Sequence, residues 1–318
     1  MAPKIPPGSW DSHMHVVDPT HYPLAPDAQY VPSRHTLSDA IAFEASLGLQ
    51  NIVLVQPSIY GNDNSCMLDA LQKIGPQHGR GVVQFDPFTV ERVTLDKWHD
   101  MGVRGVRLNL TSTGKEMEIS EFEALLKEYA RRISPFGWVL ELYLSLDMVS
   151  SLEKIVPLLG VRVCLDHFAN PPLSSSSSIS AGYKSSTPVH KWTSPIQQES
   201  VSQGHQSAVF DYDPYELPGF SSLISLLRQG STYVKVSGAY RISSDPELRD
   251  LEPLAVELMR VAGKNRLVFA TDWPHTRFEG LDIRPLVAKV MEWCKGDEEL
   301  IEGVFRGTAE DLWDVKKH

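Results

Sequence analysis

The sequence Asn-Ile-Val-Leu-Val at residues 51–55 is followed by Gly-Val-Val-Gln-Phe at 81–85 and by Gly-Val-Arg-Leu-Asn-Leu at 105–110. These runs are short, largely apolar and rich in β-branched residues, which is typical of strands that are buried on both faces of a parallel sheet. Similar runs recur along the chain at intervals long enough for one strand, one helix and two loops. The pattern therefore predicts a succession of βα units.

Eight strands and six helices are predicted from this pattern. The strands are predicted at Ser9–Val16, Asn51–Val55, Gly81–Phe85, Gly105–Leu110, Trp138–Leu144, Val161–Leu165, Tyr233–Ser237 and Leu267–Thr271. The helices are predicted at Thr36–Leu47, Asn64–Ile74, Ser120–Ile133, Asp147–Leu159, Asp245–Ala262 and Leu281–Cys294, with a capping box at the start of the third helix in Ser120-Glu-Phe-Glu.

Eight alternating units in one chain favour an α/β fold of a particular kind, a single (β/α)8 TIM barrel that spans residues 1–318. The main alternative is an open, doubly wound sheet. That fold is not supported, because no predicted strand is followed by a Gly-rich loop of the dinucleotide-binding or P-loop kind.

Residues 170–218 interrupt the pattern with a polar segment that contains a run of serines. Because this insertion follows the sixth strand, we expect it on the C-terminal face of the barrel, where the active sites of this fold lie. Two interpretations stay open, a mobile lid over the site and a disordered loop. The aromatic end, at residues 210–216, is expected to make ordered contacts.

The composition excludes several classes of partner. Of 318 residues, 42% are hydrophobic and 22% are charged, which is typical of a globular protein and not of a disordered chain. Thirty Lys and Arg against forty Asp and Glu leave a net charge of −10, so neither nucleic acid nor an anionic membrane surface is an expected partner. A small-molecule substrate is expected instead, and the oligomeric state stays open.

The cysteines and the ends of the chain favour the cytoplasm. The chain has three cysteines, an odd number, and they lie far apart in the sequence at Cys66, Cys164 and Cys294, so a disulfide framework is not expected. The N-terminal residues contain no apolar stretch of the kind found in a signal peptide. We therefore expect a protein of a reducing compartment.

Polar side chains stand at the predicted C-terminal ends of three strands. His13 and His15 alternate along the first strand and should point to the same side. His167 follows the sixth strand, and Asp272 follows the eighth. Any one of them alone is explained equally well as a buried, hydrogen-bonded residue. Four at the strand ends of one barrel indicate a catalytic or metal-binding site instead.

The same residues lie in phrases that resemble the amidohydrolase superfamily, and in particular the branch that contains 2-pyrone-4,6-dicarboxylate lactonase. The phrases are Asp-Ser-His-Met-His-Val-Val-Asp-Pro (11–19), Val-Gln-Pro-Ser (55–58), Arg-Gly-Val-Arg-Leu-Asn (104–109), Asp-His-Phe-Ala (166–169), Val-Lys-Val-Ser-Gly-Ala-Tyr-Arg (234–241) and Ala-Thr-Asp-Trp-Pro-His (270–275). They occur in order over almost the whole chain. The resemblance implies a TIM-barrel hydrolase in which His-x-His, a later His and an Asp on the eighth strand form the site.

Two roles for this set follow from the resemblance. Asp272 is expected to be the base that takes a proton from the attacking water and returns it to the leaving oxygen. The three histidines are expected either to hold a divalent metal ion together with Asp272, zinc being favoured by the donor types, or to polarise the substrate carbonyl directly as hydrogen-bond donors. The branch includes enzymes that work without a metal and relatives that use zinc, so both alternatives stay open.

Five further residues are candidates for binding the substrate. Arg107 and Arg241 lie at or after the ends of the fourth and seventh strands, where a guanidinium group suits a substrate carboxylate, although a salt bridge to a protein carboxylate is the alternative for each. Ser58, Tyr60 and Tyr143 match positions that contact the substrate acid groups in the lactonase that the chain resembles.

The sequence thus predicts a hydrolase that opens a lactone or a related cyclic ester of a carboxylated or aromatic compound. A zinc-dependent decarboxylase of an aromatic acid is the second hypothesis, because it would use the same four residues. A catalytically silent barrel that binds a metabolite is the third, and the intact set of four argues against it.

Overall fold

Eight parallel strands form one sheet in the order in which they occur in the chain. The computed structural model describes residues 4–111, 118–173, 210 and 212–315. The strands are β1 (Trp10–Met14), β2 (Asn51–Val55), β3 (Gly79–Val83), β4 (Val103–Asn109), β5 (Val139–Tyr143), β6 (Val163–Leu165), β7 (Thr232–Val236) and β8 (Leu267–Phe269). The predicted (β/α)8 barrel is confirmed, and each of the eight predicted strands is present.

Twelve α-helices are present among the described residues, and most of them connect the strands and cover the outside of the barrel. They are α1 (Leu37–Leu47), α2 (Ser65–Ile74), α3 (Arg92–Asp100), α4 (Ile119–Ile133), α5 (Val149–Leu152), α6 (Val156–Leu159), α7 (Phe220–Gln229), α8 (Ala239–Ile242), α9 (Glu252–Ala262), α10 (Arg284–Trp293), α11 (Glu298–Glu302) and α12 (Thr308–Leu312). Within the described ranges, no helix is long and apolar enough to cross a bilayer.

Three helix predictions were wrong in detail. The helix predicted at 147–159 is divided into the single turns α5 and α6, because Pro157 lacks an N–H and its ring clashes with the preceding turn. The helix predicted from Asp245 begins only at Glu252, since the Asp245 carboxylate accepts the backbone N–H groups of nearby residues and holds a turn. The capping box predicted at 120–123 is absent, because α4 begins at Ile119 without a side-chain cap.

The barrel closes between β8 and β1 through the backbone of the candidate site itself. The N–H of Asp272 donates to the His13 carbonyl at 2.9 Å, and the N–H of His15 donates to the Trp273 carbonyl at 2.8 Å. The buried Asp11 carboxylate adds a second link, since Oδ1 accepts the N–H groups of His13 at 3.0 Å and of Thr271 at 2.9 Å. The position of Asp272 relative to the two histidines is therefore part of the sheet geometry.

A separate apolar cluster fills the inside of the barrel. It draws residues from seven of the eight strands, which can meet only in the interior, and it includes three residues from the C-terminal segment: Ala309, Leu312 and Trp313. Trp313 is fully buried, and its indole Nε1 donates to Ser12 Oγ at 3.2 Å. The C-terminal segment thus completes the interior core.

Most of the predicted insertion, including its serine run, lies outside the described residues. The described part of its aromatic end contacts the outer helix α9. Tyr212 donates to the Asp250 carbonyl at 3.1 Å just before α9, and Tyr215 donates to Glu257 on α9 at 2.6 Å. The contacts of this end are therefore with a helix outside the barrel. The lid and loop interpretations of the segment stay predictions.

Candidate active site

The four predicted residues converge at the C-terminal ends of the strands. His13 Nε2 lies 3.3 Å from His15 Nε2, and the two nitrogens lie 3.7 and 3.8 Å from Asp272 Oδ1. His167 Nε2 lies 3.9 Å from Asp272 Oδ2. All four residues are almost completely buried. The structure therefore brings together residues from the two ends and the middle of the sequence.

Unusual backbone conformations aim two of these side chains. His167 and Asp272 have φ angles of 52° and 63°. Residues other than glycine rarely adopt such angles, and holding one costs about 1–3 kcal/mol. Gly238 (φ 62°) is also required beside His167, because a Cβ there would lie 2.7 Å from His167 Nδ1. Two strand ends thus accept local strain to place the site residues, and the strand end between them avoids it with a glycine.

Two of the histidines are held by hydrogen bonds at Nδ1, the ring nitrogen that faces away from Asp272. His15 Nδ1 lies 2.8 Å from the Val55 carbonyl, and His167 Nδ1 lies 2.8 Å from Ser237 Oγ. Burial lowers the pKa of each of these imidazoles to about 4. Both are therefore neutral near pH 7, and each directs Nε2 toward Asp272.

Asp272 is ionised and held by two donors. Its Oδ2 accepts from Arg241 Nε at 2.7 Å and from the Tyr240 hydroxyl at 2.6 Å. Burial alone would raise the pKa of Asp272, but the charge of Arg241 and the neighbouring imidazoles outweigh it and hold the pKa well below its ordinary value. Oδ1 stays directed at His13 and His15, so one carboxylate oxygen is anchored and the other faces the imidazoles.

The sequence reasoning missed a group of buried charges behind His13. Lys235 on β7 pairs with Glu141 on β5, and its Nζ lies 3.3 Å from Asp166 Oδ1 and 3.0 Å from His13 Nδ1. The signal was present in the sequence, because a charged residue stands in the middle of each of these otherwise apolar strands. Isolated buried ions are very costly, so each needs a partner.

Arg107 belongs to this same group of charges. It is 4% exposed, and Nε and Nη2 donate to Asp166 Oδ2 at 3.1 and 2.9 Å, with Glu141 Oε1 at 3.5 Å from Nε. The alternative weighed for it, a salt bridge to a protein carboxylate, is therefore what the structure contains. Arg241 differs, since its side chain is 23% exposed and, among the described residues, its two Nη atoms have no hydrogen-bond partner.

The other three predicted substrate contacts are placed differently from one another. Tyr143 ends β5, and its ring meets the His167 ring edge at a centroid distance of 4.9 Å. Tyr60 is buried, and its hydroxyl accepts the Asp18 N–H at 3.0 Å, which directs it to the loop after β1. Ser58 begins the short turn after β2 and is half-buried. Of the three, Tyr143 is the one that the structure places against a site histidine.

The donor set fits a divalent metal ion. Two groups among the described residues offer ligand atoms within 4.8 Å of one another, namely His13, His15 and Asp272, and His13, Asp166 and His167. Zinc bound by bonds of about 2.1 Å would separate neighbouring ligand atoms by about 3.4 Å in a tetrahedron, close to the separations in the first group. Arg241 and Lys235 stand behind two of these ligands, and their positive charges oppose that of a metal ion there.

Comparisons with known proteins agree with this arrangement. A family profile described as Amidohydrolase matches residues 10–195 and 201–315. The chain is 29% identical over 281 residues to 4-sulfomuconolactone hydrolase of Hydrogenophaga intermedia, which covers 86% of the chain and 77% of the relative. It is 31% identical over 172 residues to 2-pyrone-4,6-dicarboxylate hydrolase of Comamonas testosteroni, which covers 54% and 55%.

A solved structure is similar over almost the whole chain. It is that of a candidate 2-pyrone-4,6-dicarboxylic acid hydrolase from Pseudomonas putida, with a TM-score of 0.72 and 28% identity over 98% of this chain and 99% of that one. The resemblance inferred from the six sequence phrases is thereby confirmed.

Proposed function

The chain belongs to the amidohydrolase family, and we propose that it is a hydrolase that opens the ring of a lactone, or of a related cyclic ester, of a carboxylated or aromatic compound. The observation that carries the proposal is the convergence of three imidazoles and one carboxylate at the strand ends of a barrel. The names of the two relatives support the substrate class, because both describe lactones or pyrones with acid groups.

Asp272 is the base in this mechanism. It takes a proton from water as the water oxygen attacks the ring carbonyl carbon. The carbon–oxygen bond of the ring then breaks, and the same proton passes to the leaving oxygen, so that the product carries a hydroxyl group and a new carboxylic acid group, which releases its proton to solvent near pH 7. The Nε2 atoms of His13 and His15 face the space beside Asp272 Oδ1, and an imidazole that carries its proton on Nε2 can donate to the carbonyl oxygen as charge develops there.

Arg241 is the residue that we propose for binding the substrate acid group. Its Nε is used by Asp272, while its two Nη atoms point away from that bond and are unpaired among the described residues. A guanidinium group can hold two anions through different edges. A substrate carboxylate on the Nη edge would weaken the hold of Arg241 on Asp272 and so raise the basicity of Asp272 when substrate is bound.

Zinc is the metal that we propose for the site. His13, His15 and Asp272 would hold it through Nε2 and Oδ1, with His167 facing the same space. When bound, zinc would polarise the substrate carbonyl and lower the pKa of water. The chain's own residues still orient the substrate and accept the proton.

Arg241→Met should discriminate between substrates. We expect the loss in kcat/KM to be about 2–3 kcal/mol larger for a lactone with an acid group than for its neutral analogue, the scale of a hydrogen bond to a charged group. Both substrates should also share a smaller loss, because Asp272 loses a partner. Arg107→Met is the matched comparison, since Arg107 faces Asp166, and it should affect both substrates equally. Equal losses from Arg241→Met would remove Arg241 from substrate binding.

The zinc proposal predicts a metal dependence. Purified protein should carry close to one equivalent of zinc, a strong chelator should abolish turnover, and added zinc should restore it. Elemental analysis and activity are to be measured on the same samples. Full activity in a preparation shown to be free of metal would contradict the zinc proposal and would leave the histidines to polarise the carbonyl directly.

A panel of lactones and aromatic acids, with products identified by mass, tests the function itself. A ring-opened hydroxy acid supports the proposal, with Asp272→Asn as the inactive control. Release of carbon dioxide from an aromatic acid would instead identify the decarboxylase that the same four residues could form. Binding without turnover across the panel would identify a silent barrel.

A further inference from the structure

A buried ammonium group faces the imidazole of His13 from inside the barrel. Lys235 is completely buried, and its Nζ lies 3.0 Å from His13 Nδ1. The same Nζ contacts Glu141 and lies 3.3 Å from Asp166 Oδ1. These two carboxylates keep the lysine charged. Hydrolysis as described above assigns no role to Lys235, although it touches one of the four central residues.

The contact determines where the proton of His13 lies. A neutral imidazole has one N–H donor and one acceptor nitrogen, whereas an ammonium group has donors only. Nδ1 of His13 must therefore accept from Lys235, and the ring proton must be on Nε2, the nitrogen that faces Asp272 and His15. Two carboxylate oxygens compete for the opposite arrangement, Asp166 Oδ1 at 3.3 Å and Glu141 Oε1 at 3.6 Å from Nδ1, but both are farther from it than Lys235 Nζ.

His15 has the complementary arrangement. Its Nδ1 lies 2.8 Å from the Val55 carbonyl, which can only accept, so Nδ1 carries the proton and Nε2 has a free lone pair. The Nε2 atoms of His13 and His15 are 3.3 Å apart. Donors and acceptors are then consistent along one chain, from Lys235 through His13 and His15 to Val55.

We propose that Lys235 is a positioning residue that fixes His13 in the Nε2–H tautomer, so that in the metal-free protein His13 presents a proton to the pocket. Where it concerns the substrate, this inference rests on the proposed function, because the lactone carbonyl would then compete with His15 Nε2 for the Nε2–H of His13. It also has a consequence for zinc. His13 can ligate an ion through Nε2 only after its proton moves to Nδ1 and is donated to Asp166, so Lys235 opposes metal binding.

The wild-type protein provides the first test and needs no assay of activity. Protein with ¹⁵N-labelled histidine, stripped of metal, is studied near neutral pH by long-range ¹H–¹⁵N correlation, and the His13 signals are assigned from their loss in His13→Asn. We expect Nε2 to be protonated and Nδ1 not. A His13 ring protonated on Nδ1 would overturn the proposal, whatever the protein is later found to hydrolyse.

Two charge-neutral double variants provide the second test. Lys235→Met with Glu141→Gln removes the contact with His13, while Arg107→Met with Glu141→Gln removes the same charges and leaves Lys235 in place. We expect the tautomer of His13 to change only in the first. Zinc should bind to the first about 10- to 100-fold more tightly than to the second, the scale on which hydrogen-bond partners of metal-bound histidines act.

Zinc affinity is measured by competition with a chromophoric chelator, and the unfolding of both variants is followed by circular dichroism. Equal zinc affinities, or the same His13 tautomer in both double variants, would show that the contact between Lys235 and His13 has no effect beyond that of the charges removed from both. Either result would overturn the proposal. Should the first variant not fold, the tautomer in the wild-type protein decides the question.

Discussion

Asp272→Asn is expected to lower kcat by at least about 10²-fold on a lactone that the wild-type protein opens, which is the usual contribution of a positioned base. The amide keeps the shape of the side chain, and its oxygen can still accept from Arg241 and Tyr240, but it cannot take a proton from water. Folding should survive, because Arg241 is partly exposed and is not left as a buried, unpaired ion. Steady-state kinetics and thermal unfolding measure the two effects separately.

Asp250→Asn is a suitable control for this experiment. Asp250 is also buried and also accepts several hydrogen bonds, from Ser243 and Ser244, but it precedes α9 on the outside of the barrel. Its replacement should lower stability and leave turnover nearly unchanged. If Asp272→Asn keeps near-wild-type turnover, another group removes the proton and the mechanism proposed here is wrong.

Most of the strands were predictable because they are short, largely apolar runs that are buried on both faces. β2 and β5, for example, are buried at every position, so composition alone marks them. The helices were less predictable from the sequence than the strands. The start of α6 depends on Pro157, and the start of α9 depends on the turn that Asp245 holds. The helix α3 was missed because only Leu95 of its nine residues is buried, which leaves little apolar periodicity to recognise.

The candidate site was predictable where chemistry and position coincide. His13, His15, His167 and Asp272 all follow or end strands, and parallel strands place their carboxyl ends on one face. The charges behind them were not predicted, because the pairing between Lys235 and Glu141 depends on how the side chains of β5 and β7, which flank β6, point into the closed barrel. Arg107 and Arg241 look alike in the sequence. Only the structure shows that Arg107 is buried in an ion pair with Asp166, whereas the guanidinium group of Arg241 is partly exposed.

Trp313→Ala is expected to lower the free energy of unfolding by about 3–5 kcal/mol, the usual cost of deleting a buried Trp side chain. The fully buried indole belongs to the apolar cluster inside the barrel, together with strand residues such as Trp10, Val53 and Val268, and its ring centroid lies 5.6 Å from the ammonium of Lys235. Alanine would leave a cavity that a closed sheet cannot collapse to fill. Urea denaturation followed by circular dichroism measures the loss as a lower midpoint with an unchanged slope.

Two variants separate the packing of Trp313 from its hydrogen bond. Trp313→Phe keeps an aromatic ring but loses the bond from Nε1 to Ser12, and it should cost only about 1–2 kcal/mol. Trp98→Ala removes an indole that is only half-buried on α3, so it should cost less than Trp313→Ala. If Trp313→Ala costs no more than Trp98→Ala, the C-terminal segment covers the barrel without filling it. The interior core would then be formed by the strands alone.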